Sequence, residues 1–281
     1  MLPQRLLVAM FGLPLLALPL LAPERWFSAV ATIILAAGAA EFVLAAPGKM
    51  SRSTAVAAAV SAAAIVSVVR SVPGVQDWTL LTFLVTTALT LGLLLALHAR
   101  AHEGRVGERP EDEPSASAGL WWLGGVLYLS VLGAHWLLLR ALPHGSLWML
   151  VLLVTAFATD TGAYVAGRLI GRHILWPAVS PNKTWEGFGG GMLLGGAAVV
   201  ALLLMLGIAT EPSWWPWLAL LALGAPLLGI AGDLLESALK RRMGVKDMSN
   251  LLPGHGGLLD RLDSLLAIGP LLYWVVQWAT P

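Results

Sequence analysis

The 281-residue chain contains no cysteine. That excludes disulfides, thiolate nucleophiles and Cys-ligated zinc. Charge is scarce as well: only 12% of residues are Asp, Glu, Lys or Arg, against roughly 25% in soluble domains. So few charges do not cover a water-soluble surface, and a hydrophobic content of 58% excludes a disordered chain. The formal net charge of +1 lacks the excess that attracts nucleic acid, so no nucleic-acid partner is expected. Long apolar runs dominate instead, together with 13 tryptophans. Indole rings settle at membrane–water interfaces, so the lipid bilayer is the expected surrounding.

A bilayer core about 30 Å thick needs about 20 mostly apolar residues per helix. Nine stretches qualify: 6–22, 26–46, 53–72, 78–98, 119–141, 146–166, 187–208, 214–239 and 263–280. The expected fold is an all-α, polytopic integral membrane helix bundle of about nine transmembrane helices. The first stretch is interrupted by Pro14 and Pro19 and follows Arg5, as a signal peptide would. A retained helix is preferred, because the region near Ala22-Pro23 is a poor cleavage site. The eighth is long and ends in polar residues, as a helix projecting from the bilayer does. The N-terminus and the loops after spans two, four, six and eight hold 14 of the 17 Lys and Arg residues. The other side holds Arg25, Arg70 and Arg140. The positive-inside rule therefore puts the richer side in the cytoplasm. The chain is expected to divide into N-terminal transmembrane helices (1–98), a cytoplasmic linker of mixed charge with Pro110 and Pro114 (99–118), and a C-terminal catalytic transmembrane domain (119–281). The N-terminal part is rich in Ala and Leu. Its Glu41 lies inside a span and is read as a carboxyl turned to a helix contact or to the interface.

Polar residues concentrate between Asp160 and Asp263, a stretch with eight acidic and eight basic side chains. Three clusters stand out. In the first, Asp160 and Tyr164 are four apart and share a helix face, which Gly167 and Gly171 extend and open to close backbone approach. An acid this deep in a span needs a partner. The second is Ser180-Pro181-Asn182-Lys183-Thr184-Trp185-Glu186-Gly187. Lys183, Thr184 and the amides opening the next span suit a phosphate at a helix N-terminus. Taken alone, the segment reads better as a turn and cap, and it lacks the Walker A order. The third and densest runs from Asp233 to Asp263. If the eighth span stays helical, Asp233, Ser237, Lys240 and Arg241 line one stripe. A carboxylate, a hydroxyl and two cations so placed suit a metal-bound polyphosphate. Lys240, Arg241 and Arg242 alone are explained by positive-inside flanking, and an acid such as Asp260 or Asp263 by capping. Capping does not explain the whole constellation. Phosphate chemistry does: Mg2+ is held by one or two carboxylates plus substrate phosphates, while Lys and Arg take the phosphate oxygens.

At these residues the sequence resembles the phosphatidate cytidylyltransferases, or CDP-diacylglycerol synthases. The run Ser237-Ala-Leu-Lys240-Arg241, Lys246-Asp247, Pro253-Gly-His255-Gly256-Gly257 and Asp260-Arg261-Leu-Asp263 is similar to that family's signature at every polar position. The Asp160–Gly167 and Ser180–Gly187 segments are also similar to family blocks. Motif-level resemblance covers the C-terminal part of the chain, and hydropathy alone covers the rest. The resemblance implies a plasma-membrane enzyme that joins CTP and phosphatidic acid into CDP-diacylglycerol and releases pyrophosphate. It also implies a homodimer, Mg2+ dependence and a polar cavity facing the cytoplasm. The family's two metal-bearing aspartates map onto Asp233 and Asp260, and a monovalent cation such as K+ sits beside the Mg2+.

On this reading Asp263 completes the metal shell or orients Arg261. Lys240, Arg241 and Lys246 neutralise the triphosphate or the lipid phosphate. Ser237 and the amides around Gly256 and Gly257 donate hydrogen bonds. Lys183 serves one of the two substrates. Asn182, Thr184, Asp247, Asp160 and Tyr164 complete the substrate-binding set. His255 either protonates the leaving group or makes a structural hydrogen bond in its glycine turn. Two alternatives stay open. One is a related CTP-using membrane enzyme with another acceptor, such as a CDP-archaeol synthase or a polyprenol kinase. The other is an ion transporter, whose intramembrane acids would line a path.

Overall fold

The computed structural model describes residues 22–47, 50–72, 115–249, 251 and 256–280. All but Ala22 of the predicted span at 6–22 lies outside the described residues, as do the whole span at 78–98, most of the 99–118 linker, and His255. The other seven predicted spans are helices. These are α1 (Glu24–Ala45), α2 (Arg52–Ser71), α3 (Ser115–Ala141), α4 (Gly145–Ile170), α5 (Trp185–Met205), α6 (Trp215–Met243) and α7 (Asp263–Ala279). Among the described residues, six stretches are long and apolar enough to cross a membrane, and α7 is a shorter apolar helix of 17 residues. Many large apolar side chains face outward, among them Ile33, Val60, Leu193, Met205 and Leu223. Water would disfavour that surface, whereas lipid accepts it.

The chain forms two compact units. One contains α1, α2 and α3 together with Leu239–Leu262. Its three helices pack pairwise. Ala58, Ala62 and Val66 of α2 are buried, and their small side chains let helices come close. α2 begins at Ser51, whose side chain accepts the Thr54 amide at 3.2 Å. Glu24 of α1 pairs with Arg70 of α2, and Trp122 Nε1 of α3 donates to Thr54 O at 3.1 Å.

The second unit contains Leu147–Ala238 and the helix from Asp263 onward. α4 and α5 meet backbone to backbone: a Cβ on Gly162 would strike Gly190 O, so glycine is required at that crossing. Between them lies an antiparallel hairpin, β1 (Ile174–Trp176) and β2 (Ser180–Thr184). From sequence alone the Ser180–Gly187 segment reads as a turn and cap. The strands are short, and Pro181 suppresses the strand signal, but a two-stranded edge tolerates a proline. Trp176 and Val179 pack on Ala238 of α6. Aromatic residues gather at one end of this unit: Trp148 stacks on Trp214 at 6.0 Å, and Trp217, Trp274 and Trp278 form a chain of ring contacts. The acidic residues lie toward the opposite ends of the same helices, on the last turns of α4, the C-terminal half of α6 and the start of α7.

Candidate active site

In the second unit, helix packing brings carboxylates together. A Cβ on Gly232 would lie 2.7 Å from Asp263 O and 2.8 Å from Ala267 Cβ, so only glycine lets α6 approach α7 this closely. Ser264 Oγ donates to Gly229 O at 3.2 Å and ties the same crossing. Asp233 of α6, Glu236 one turn later, and Asp263 at the start of α7 are thereby gathered. One oxygen from each lies within 4.8 Å of the others. Glu236 and Asp263 are buried, and Asp233 is half-buried. Asp263 Oδ1 accepts the Ser264 amide at 2.7 Å.

Lys183 is the balancing cation: its Nζ is 2.7 Å from Asp233 Oδ2. It is delivered by β2, whose end leads straight into α5. The first turn of α5 is satisfied locally. Thr184 Oγ1 accepts the Gly187 amide at 3.1 Å, so Thr184 is the helix cap. Glu186 grips the start of the hairpin, accepting from the Arg172 and His173 amides and from His173 Nδ1 at 2.6 Å. Three carboxylates and one ammonium leave a formal charge of −2. Unit charges about 5 Å apart repel by about 3 kcal/mol at an effective dielectric of about 20, so each pair within the carboxylate group opposes its own packing. The donors are all carboxylate oxygens, a set that fits a hard divalent cation such as Mg2+.

In the first unit, Asp260 is the centre of a different arrangement. Its Oδ1 is 2.6 Å from Lys240 Nζ, and its Oδ2 accepts the Met248 amide at 3.1 Å and the Gly257 amide at 2.7 Å. Both side chains of the ion pair are largely buried, at 15% and 6% exposure. Gly256 has φ +79°, the left-handed conformation that glycine adopts without strain, and a Cβ there would lie 2.9 Å from Asp260 Oδ2. Glu41 reaches this loop from α1. It accepts from Ser249 Oγ, from the Leu258 amide at 3.0 Å and from the Leu259 amide at 2.7 Å. The sequence suggested a helix contact or the interface for Glu41, and the structure gives it the Gly257–Leu259 loop instead.

The remaining sequence-predicted residues are distributed as follows. Asp160 and Tyr164 lie on exposed turns of α4, and Asn182 is exposed on β2. Ser237 is half-buried on α6. Arg241, Lys246, Asp247 and Arg261 are exposed in the first unit. His255 lies outside the described residues. Glu236, Glu186 and Glu41 were not singled out as site residues by sequence. Glu236 carried a legible signal, since three residues after Asp233 is the same helix face. Glu41 stood out as an acid inside a span, but its partners, more than 200 positions away, were not legible.

These helices define the class: a multi-pass α-helical membrane protein whose ionisable groups gather at helix ends. The chain belongs to the cytidylyltransferase family, whose model matches residues 3–279. It is 42% identical over 151 residues to a phosphatidate cytidylyltransferase of Bacillus subtilis, a match covering 53% of this chain and 55% of that protein. Similar proteins of the same name occur in Staphylococcus saprophyticus, 44% identical over 129 residues, and Staphylococcus aureus, 43% identical over 129 residues. Each of these two matches covers 46% of this chain and 48% of the relative. The chain thus spans about half the length of the curated relatives it matches.

Proposed function

We propose that the protein transfers the cytidylyl group of CTP to phosphatidic acid, giving CDP-diacylglycerol and pyrophosphate. An oxygen of the lipid phosphate attacks the α-phosphorus of CTP, and the bond from that phosphorus to the β-phosphate oxygen breaks. No side-chain nucleophile is needed, and the lipid phosphate is already anionic near neutral pH. Catalysis then rests on in-line positioning and neutralisation of charge. The observation that carries the reading is the group of Asp233, Glu236 and Asp263 beside Lys183. Crowded carboxylates of this kind suit a divalent ion that in turn carries nucleotide phosphates.

In this proposal Asp233, Glu236 and Asp263 hold Mg2+, Asp260 keeps the metal-ligand role that the sequence resemblance implies, and K+ is an accompanying ion. When bound, Mg2+ supplies charge neutralisation on the phosphates. Lys183 restrains Asp233. Lys240, Arg241 and Lys246 bind phosphate oxygens, Arg241 with two donors at once. Ser237 and the Gly256–Gly257 backbone donate hydrogen bonds. We also read the protein as a homodimer of the plasma membrane with its site on the cytoplasmic side, supported by the 14 of 17 basic residues on one set of predicted loops.

The deciding assay uses the purified full chain, phosphatidic acid, Mg2+ and CTP labelled on the α-phosphate. Label in the lipid fraction with pyrophosphate in solution is the expected result. Release of CDP with transfer of the γ-phosphoryl group to a lipid alcohol would replace the proposal with a kinase. Cation flux in CTP-free liposomes, with no transfer, would replace it with a transporter.

A further inference from the structure

We propose that Glu41 is a positioning residue for Asp260, and that this is what the N-terminal helices contribute to the site. The inference rests on the reaction proposed above. Residues 256–261 form a short loop ending in a single 3-10 turn, Leu259–Arg261. Amides in such a segment have no helical partners and need other acceptors. Two carboxylates divide them. Asp260 accepts from Gly257 and Met248, while Glu41 accepts from Leu258 and Leu259. The Ser249 hydroxyl donates to the same Glu41 oxygen as Leu258. Glu41 is 6% exposed, and the other buried residues of its helix are apolar or glycine. A buried carboxylate is costly unless its oxygens are hydrogen-bonded, and here three donors meet that need.

The consequence is directional. Gly257 has no side chain to lock its place, and a Cβ there would collide with Glu41 Oε1 and lie 3.0 Å from Asp260 Oδ2. Its backbone is therefore wedged between the two carboxylates. The peptide that donates to Asp260 is followed immediately by the two that donate to Glu41. Glu41 thus sets where the Gly257 amide points, and that amide holds the Asp260 carboxylate together with the Met248 amide and the Lys240 ammonium. A purely structural acid would leave the metal requirement of the enzyme untouched once the protein is folded, whereas a positioning acid would not.

The test compares the parent chain with Glu41→Gln and Glu41→Asp, each checked for monodispersity and melting temperature in detergent. Glutamine keeps the size but offers one accepting oxygen in place of two. Aspartate keeps the charge but falls one methylene short. Mn2+ serves as the probe, titrated in the presence of CTP and read by electron paramagnetic resonance, alongside the Mg2+ dependence of lipid labelling. Outer-sphere partners of metal ligands typically account for roughly 10- to 100-fold in affinity or activity. Glu41→Gln is expected to raise the Mn2+ and Mg2+ requirement by that factor, with the KM for CTP at saturating Mg2+ little changed. Glu41→Asp is expected to recover part of the loss. Hydrogen exchange at Leu258 and Leu259, measured without metal or nucleotide, should quicken in Glu41→Gln. A folded variant whose metal requirement stays within about twofold of the parent overturns the inference. So does a fall in turnover at unchanged metal requirement. If Glu41→Gln does not fold, Glu41→Asp decides on the same readings. A parent chain that neither binds Mn2+ with CTP nor labels lipid overturns the proposed function instead, and the two failures are told apart by the parent alone.

Discussion

Asp260 and the group of Asp233, Glu236 and Asp263 are built on opposite electrostatic plans. Asp260 has an ammonium on one oxygen and two backbone amides on the other. Its charge is satisfied by the fold. The second group sets three carboxylates close together, with Lys183 paired to one of them. Glu236 and Asp263 of this group are buried. Crowded carboxylates of this kind suit a divalent cation beside them, as proposed above, whereas Asp260 is already positioned by donors of the fold. The comparison separates an acid held for its position from acids held for their charge.

The contrast can be broken most directly at Lys240. Lys240→Met strands a carboxylate that is 6% exposed, and stability is expected to fall by about 3–5 kcal/mol. Thermal or denaturant unfolding in detergent measures it. A melting temperature equal to the parent's would show that Asp260 is not held by this pair.

Asp263→Asn probes the other plan. It removes one charge from a crowded set while leaving an oxygen for the Ser264 amide. Transfer activity should drop on the order of 100- to 1,000-fold, as when one preorganised electrostatic contact is lost. In chelator, however, the variant should melt at or above the parent's temperature, because repulsion is relieved. A destabilised variant would mean that these acids are structural.

Packing comes next. Gly232→Val forces α6 away from the Asp263 backbone, and overpacking of this sort costs about 1–3 kcal/mol. The expected signature is a lower melting temperature together with a raised Mg2+ requirement. The smallest effects are expected around β2. Lys183→Met breaks a pair whose side chains are 24% and 36% exposed, and should cost at most about 1 kcal/mol in stability. A loss as large as that of Lys240→Met would erase the distinction drawn between the two ion pairs.

Much of this was legible along the chain. The seven described helices fall on seven of the nine predicted spans, because a run of apolar residues long enough to cross lipid has few other folds open to it. Asp233 and Glu236 share a face by helical spacing alone. The hairpin was less visible, since its strands are three and five residues long and one contains a proline. Thr184 illustrates a residue type with two meanings. Its position before a helix suits a phosphate or a cap, and the 3.1 Å bond from Gly187 assigns the cap.

Hydropathy and the spacing of charges are local quantities, and they were enough to fix the membrane helices, the polar C-terminal stretch and the family resemblance. Which acid meets which partner depends on how segments distant in sequence approach one another. Asp263 joins Asp233 because glycine at 232 lets two helices touch, and Glu41 joins a loop 217 positions away because α1 packs beside it. Hydrogen bonds and ion pairs act over about 3 Å whatever the distance along the chain, so only the folded structure could assign them.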